Sequence, residues 1–168
     1  RSSSILEKWQ SRNRLTGDED IDLGGYRILI FGMGRVGRAV YDEMRSHAEE
    51  KIVGIDLDES QVERNCEEGR NVVLGDAINP EFWSRLAVPH QSIEMILLSM
   101  SKHQSNIDAA RQMRARGYNG PIVSTSLFPE QEQELLENGI DEVFNIYEEA
   151  GSGAATRMYG LLENRRLP

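Results

Sequence analysis

Apolar positions along this chain follow two alternating periods. Runs rich in β-branched and aliphatic residues at Arg27-Ile28-Leu29-Ile30-Phe31, Lys51-Ile52-Val53-Gly54-Ile55, Asn71-Val72-Val73-Leu74, Ile93-Glu94-Met95-Ile96-Leu97-Leu98, Pro121-Ile122-Val123-Ser124-Thr125 and Asp141-Glu142-Val143-Phe144-Asn145 predict six short strands. The fourth run is nearly all apolar, which suits a strand covered on both faces. Between the runs the period lengthens. Val36, Ala39, Val40 and Met44 predict one face of a helix after the first strand. Asp58 with Gln61 reads as a capping box opening a helix that Gly69 stops. Asn79-Pro80 supplies the cap and first residue of a short helix. Ser101 with Gln104 opens a helix that runs to Gly117, Pro129 starts the next and Gly139 ends it, and a last helix runs from about Tyr147 to Asn164. Strands alternating with helices pair in parallel through right-handed crossovers. The predicted fold is α/β, a doubly wound parallel six-stranded sheet over residues 26–165, and no internal repeat is visible.

Residues 1–25 read as an arm or linker. Ser4 to Gln10 predicts a short helix with a serine cap. Arg1, Lys8, Arg12 and Arg14 make the arm locally basic, Asp18, Glu19, Asp20 and Asp22 reverse the sign, and Gly24-Gly25 marks the boundary. Such a basic stretch is either a solvated linker or a segment lying at a membrane surface. The chain begins at Arg1 without a Met, so the expectation is a piece of a longer protein.

Composition narrows the class. A chain of 168 residues is long enough for one well-buried domain and too short for a nucleotide-binding domain plus a separate substrate domain. Lys and Arg total 19 against 28 Asp and Glu, giving a net charge of −9, which argues against nucleic-acid binding by phosphate neutralisation. The single cysteine, Cys66, excludes an internal disulfide or a CxxC metal site and reads as a packed thiol on a helix. No apolar run approaches the roughly 20 residues that cross a bilayer.

The chemistry concentrates after the first strand. Gly32-Met33-Gly34-Arg35-Val36-Gly37 is GxGxxG between a strand and a helix. Gly32 permits a tight turn, Gly34 lets a pyrophosphate approach the backbone, and Gly37 allows close helix–strand packing. The amides at the helix start then favour phosphate, and Arg35 either pairs with phosphate oxygens or is solvated. Asp56 ends the second strand nineteen residues after Gly37. A carboxylate there accepts ribose hydroxyls and repels a 2′-phosphate. Neither Leu57 nor Asp58 supplies a cation, so NADP is disfavoured. Asp76, in Gly75-Asp76-Ala77, lies on the same carboxyl edge and either contacts the adenine or holds its loop. Ser99, ending the fourth strand, is a ligand contact or a helix cap. His47, His90 and His103 pair with no evident acid or nucleophile, Glu148-Glu149 reads as a helix face, and no His/Cys cluster suggests a metal.

The series Phe31-Gly32-Met33-Gly34-Arg35-Val36-Gly37, Gly54-Ile55-Asp56-Leu57-Asp58 and Val73-Leu74-Gly75-Asp76-Ala77 resembles the TrkA-N or RCK (KTN) domain family over about residues 26–146. Within it, the chain is similar to the cytosolic domains of Kef-type glutathione-regulated potassium-efflux systems, which are cation:proton antiporters of bacterial inner membranes. The resemblance implies a Rossmann-like domain that binds AMP, NAD(H) or a related adenine nucleotide, works as a homodimer, and passes ligand-dependent movement to a transmembrane antiporter domain of the same parent chain at the cytoplasmic face. By motif, it assigns Gly32, Gly34, Arg35 and Gly37 to phosphate, Asp56 to the ribose and Asp76 to the adenosine side; Met33, Val36, Leu57, Ala77 and Ser99 complete the candidate cofactor-binding residues. The basic arm becomes the tether to the membrane. Many relatives carry Ala-Arg-Ala at the end of the fifth strand, where this chain has Ser124-Thr125-Ser126, so the contact of that arginine does not transfer. No residue is assigned to glutathione.

The leading expectation is therefore a non-enzymatic regulatory domain of a potassium-efflux system. The alternative is a small NAD-dependent oxidoreductase, or a fragment of one, with His103 as a candidate base. A methyltransferase fits less well, because Phe31 stands where an acid would precede the first glycine.

Overall fold

Hydrophobic runs and glycine-rich connections build one parallel sheet. A computed structural model describes residues 20–49, 51–87 and 92–166. The short pair β1 (Ile21–Asp22) and β5 (Leu86–Ala87) lies apart from the main sheet, which comprises β2 (Ile28–Phe31), β3 (Ile52–Asp56), β4 (Val72–Leu74), β6 (Met95–Leu98), β7 (Ile122–Ser126) and β8 (Glu142–Asn145). Its order is β4-β3-β2-β6-β7-β8, all neighbours parallel. The predicted doubly wound α/β sheet is present, with strand ends displaced by a residue or two.

The helices are α1 (Arg35–Met44), α2 (Glu59–Glu67), α3 (Pro80–Arg85), α4 (His103–Ala115), α5 (Glu132–Glu137) after a 3-10 turn at Pro129–Gln131, and α6 (Ile146–Arg165). Alternation along the strands divides the core in two. Ile28, Ile30 and Ile52 pack with Tyr41 of α1 and Val62 of α2. Leu29, Phe31, Ile55 and Leu98 pack with Phe82 and Trp83 of α3, Ile107 and Met113 of α4 and Leu135 of α5. Sheet order reverses between β2 and β6, and their following helices leave to opposite faces. That opens a crevice at the carboxyl ends of these two strands, where ligands bind in such sheets.

Three local expectations are corrected. Ala39 is exposed, and the inward positions of α1 are Gly37 and Tyr41, flanked by half-buried Val36, Val40 and Met44. The tyrosine wins because its hydroxyl donates to Ile52 O at 3.4 Å and accepts from Asn71 N at 2.9 Å, joining α1 to β3 and to the start of β4. Ser101 and Gln104 form no capping box. Lys102 is the N-cap of α4 without a side-chain bond, and Gln104 binds Asp108 instead. Asn106 closes that turn by donating to Met100 O and accepting from Met100 N, both at 3.1 Å. Gln61 likewise makes no capping-box bond, although Asp58 caps α2 through Ser60 N at 2.9 Å. Asn79 and Pro80 begin α3 as predicted, and Gly69 and Gly139 adopt the left-handed conformation at helix ends.

The arm's predicted helix at residues 4–10 and its basic residues lie outside the described residues. Its last part does not behave as a solvated linker, since Ile21 and Leu23 are buried in the core. At the other end, α6 runs 20 residues with no buried residue and is exposed apart from half-buried Ile146 and Gly153. Cys66 is half-buried on α2, with its thiol 3.5 Å from Val72 O. Among the described residues no helix is long and apolar enough to cross a membrane, and no group of side chains has the makings of a metal site.

Candidate functional site

The three glycines of the loop serve different ends. Gly32 has φ +92°, and a Cβ there would lie 2.6 Å from Ser99 O. At Gly37 a Cβ would lie 1.9 Å from Gly32 O, so α1 comes down onto the loop itself. Both are demanded by the fold. Gly34 is not. Its φ of −73° and ψ of −155° are extended backbone that does not call for glycine, and apart from its chain neighbours no atom of the protein lies within 4 Å of its Cβ position. That open space fronts the first turn of α1, which has neither a side-chain cap nor an acidic residue. Its leading amides have no acceptor within the helix.

The loop is fixed on several sides. Ser99 Oγ is 2.8 Å from Gly32 O and 3.2 Å from Phe31 O, so Ser99 ties the turn to β6 rather than capping α4. Asp56 Oδ2 accepts Met33 N at 2.7 Å, and its Oδ1 accepts Asp58 N at 2.9 Å. The carboxylate at the end of β3 thus touches the loop directly and remains half-exposed on the crevice side. Asp58 sits below the ordinary carboxyl range because the Ser60 hydroxyl and amide bind it. Met33 is fully buried with its thioether over Gly54, so its side chain is part of the floor. Val36 is half-buried at the start of α1. Arg35 is exposed beside Gly34, with no partner among the described residues.

The third acid is held by its own loop. Asp76 Oδ1 accepts Ile78 N at 3.0 Å, and Asp76 O accepts Asn79 N at 3.0 Å. The Ala77 methyl is buried, and Ala77 O accepts the indole N–H of Trp83 at 2.7 Å. Leu57, Leu74 and Ile78, following β3 or within and after β4, are large apolar side chains left exposed at this edge.

The structure therefore brings Gly34, Arg35, Asp56, Leu57, Asp76 and Ser99 to one carboxyl edge, while Met33 and Ala77 act as support. His103 does find an acid, with Nε2 2.7 Å from Glu134 Oε2 across to α5. Sequence reading missed it because the two lie on separate helices. His47 is exposed at the opposite end of α1, and His90 is outside the described residues. Glu148 and Glu149 are exposed on α6, as expected. Asn65 and Trp83 also escaped sequence reading. Their signal was a polar residue within an apolar helix stripe and an indole that needs a buried acceptor.

The sequence model of the TrkA-N domain matches residues 28–146, most of the chain. This chain belongs to the TrkA-N domain family. The matched span starts at β2 and ends where α6 begins. No curated protein matches the chain closely enough to count as a relative. Solved structures share the fold. The NAD(P)-binding domain of an exopolyphosphatase-related protein from Archaeoglobus fulgidus superposes with a TM-score of 0.70 at 16% identity, covering 80% of this chain and 98% of that one. The TrkA-N domain of the inner membrane protein ybaL from Escherichia coli gives 0.65 at 21%, covering 81% and 96%. The Kef CTD of Shewanella denitrificans in its AMP-bound form gives 0.63 at 14%, covering 81% and 80%.

Proposed function

We propose that this TrkA-N domain is the cytosolic regulatory unit of a potassium-efflux cation:proton antiporter and binds an adenine nucleotide, AMP or NAD(H), at the β2–β6 crevice. The observation that carries this reading is Gly34: a glycine that neither the backbone nor the protein's packing requires, fronting uncapped helix amides. Phosphate there receives backbone N–H bonds and the positive helix end, and Arg35 adds a mobile cation. Asp56 accepts the ribose hydroxyls, and the base lies along Leu57 and Ile78 with Asp76 beside it. Nucleotide binding stabilises one arrangement of the domain and so biases the transport state of a membrane partner at the cytoplasmic face of the bacterial inner membrane.

Calorimetric titration with AMP, ADP, NAD, NADH and NADP tests the reading. At least one of the unphosphorylated-ribose ligands is expected to bind at or below millimolar concentration, NADP more weakly than NAD, and Asp56→Ala to lower affinity about tenfold, the scale of a charged hydrogen bond. Absence of binding by all five removes the proposal. Steady oxidation of NADH with a small carbonyl substrate, lost in His103→Ala, would favour the oxidoreductase instead.

The same reading includes a homodimer, with α6 as the contact. The helix exposes Tyr147, Met158, Tyr159, Leu161 and Leu162. It also carries Gly151, Gly153 and Gly160, each of which costs an isolated helix about 1 kcal/mol. A second copy packed on α6 covers the apolar side chains and approaches the backbone at the glycines. Sedimentation of the wild type is expected to give a dimer, and Leu162→Glu a monomer; a monomeric wild type at high micromolar concentration counts against it.

A further inference from the structure

A polar relay behind the loop is built from side chains that are not assigned to the nucleotide. Asn65 is fully buried on α2. Its amide nitrogen donates to Gln61 O at 2.7 Å and to Met33 O at 3.3 Å. Its amide oxygen accepts from Arg70 Nη1 at 3.2 Å, and its backbone oxygen accepts Arg70 N at 2.9 Å. Arg70 is itself nine-tenths buried. It forms a two-pronged pair with Asp42 of α1, Nε to Oδ1 at 2.8 Å and Nη2 to Oδ2 at 2.7 Å, and also binds Glu68. The guanidinium holds both carboxyls below their usual range.

The geometry of the peptide bond gives this relay its consequence. A peptide unit is a rigid plane with its C=O and N–H pointing oppositely. The Gly32–Met33 plane is held at both ends, with Ser99 Oγ on Gly32 O and Asp56 on Met33 N. The next plane is Met33–Gly34. Asn65 holds its carbonyl, and its other end, the Gly34 N–H, has no acceptor among the described residues. Holding Met33 O toward α2 therefore aims Gly34 N–H away from α2, into the open space in front of Gly34.

We infer that Asn65 is a positioning residue for the phosphate of the bound nucleotide, with Arg70 as its anchor, acting by orienting the Met33–Gly34 peptide. The inference rests on the nucleotide-binding reading for its ligand and on the loop geometry for its mechanism. Because Arg70 also grips α1 through Asp42, the same relay locks the helix whose first turn carries the remaining phosphate amides. The predicted selectivity is particular: loosening the relay weakens recognition of phosphate and spares recognition of the nucleoside.

Asn65→Asp is the informative variant. It keeps the size of the side chain and an oxygen for Arg70, and it removes the donor to Met33 O. Two readouts are used on the full chain. In ligand-free protein, amide hydrogen exchange is expected to quicken at least tenfold, relative to the strands, at Met33 and Arg38, whose N–H groups are bonded to Asp56 and to Gly34 O. In titrations, AMP affinity is expected to fall at least tenfold while adenosine affinity changes by less than threefold. Arg70→Lys, which loses the two-pronged geometry, is expected to repeat both effects and serves where the first variant folds poorly. Unchanged loop exchange in both variants overturns the relay, as does an equal loss of AMP and adenosine affinity. If the wild type binds neither AMP nor adenosine, the nucleotide reading fails with the phosphate role, and the exchange result still decides whether Asn65 orients the loop.

Discussion

Gly34→Ala is expected to remove nucleotide binding and leave the fold in place. A φ of −73° with a ψ of −155° is extended backbone with no need of glycine's left-handed freedom, and the alanine methyl would meet nothing within 4 Å beyond its chain neighbours. The structural cost is that of alanine at an N-cap, about 1 kcal/mol or less relative to glycine, or roughly 3 °C of melting temperature for a domain of this size. The functional cost is much larger, because the methyl fills the space where a phosphate oxygen must come within hydrogen-bonding distance of the first-turn amides. Losing those bonds together predicts at least a hundredfold drop in affinity for AMP or NAD. Gly37→Ala is the control with the opposite signature. Its methyl would sit 1.9 Å from Gly32 O, so that protein is expected to be strongly destabilised before binding can be asked. Thermal unfolding beside calorimetry separates the two cases. Wild-type affinity in Gly34→Ala would show that no ligand occupies the space in front of α1.

This division among the three glycines marks how far sequence alone reached. The strand and helix order was legible because each strand of the main sheet is a run rich in apolar residues and several helices carry their own stop or cap, as at Asp58, Gly69, Asn79-Pro80 and Gly139. The acids at Asp56 and Asp76 were legible because their place is set by where a strand ends. Contacts between segments far apart in the chain were not. Nothing near Met33 announces that its amide meets Asp56 and its carbonyl meets Asn65, twenty-three and thirty-two residues on. Ser99 read as either a ligand contact or a helix cap, the latter because serine before a helix often is one, yet the loop it faces across the sheet offers two carbonyls at bonding distance. On α1, Tyr41 took the inward position expected of Ala39 because a phenol can satisfy its hydroxyl against β3 and β4 while its ring fills the core. The pattern of apolar positions specifies which elements exist. Polar partners decide which way each one turns.

Trp83 is where the second large effect is expected, and it joins stability to the site. Its indole is buried against Phe31, with centroids 5.6 Å apart, and Phe82, at 5.1 Å, while the Arg116 guanidinium lies 5.1 Å above it. The indole N–H donates to Ala77 O at 2.7 Å. Gly75 sits so close to Phe82 that a Cβ would come within 2.4 Å of the ring. The aromatic cluster is thus the floor on which Gly75-Asp76-Ala77 rests. Trp83→Ala removes a buried aromatic side chain and leaves a cavity, a cost of about 3–5 kcal/mol, which lowers the melting temperature by roughly 10 °C. Trp83→Phe keeps most of the ring and removes the donor, leaving Ala77 O without its partner at a cost of about 1–3 kcal/mol. The two variants differ in what they say about function. If the Asp76 loop forms the adenosine side of the site, Trp83→Phe weakens adenosine and AMP equally, because the defect lies under the base. That is the reverse of the pattern expected for Asn65→Asp, where phosphate recognition alone suffers. Thermal unfolding and paired titrations of both ligands measure it. A Trp83→Ala protein that loses less than about 1 kcal/mol would mean the aromatic floor is not carrying the loop, and the adenosine assignment of Asp76 would lose its structural support.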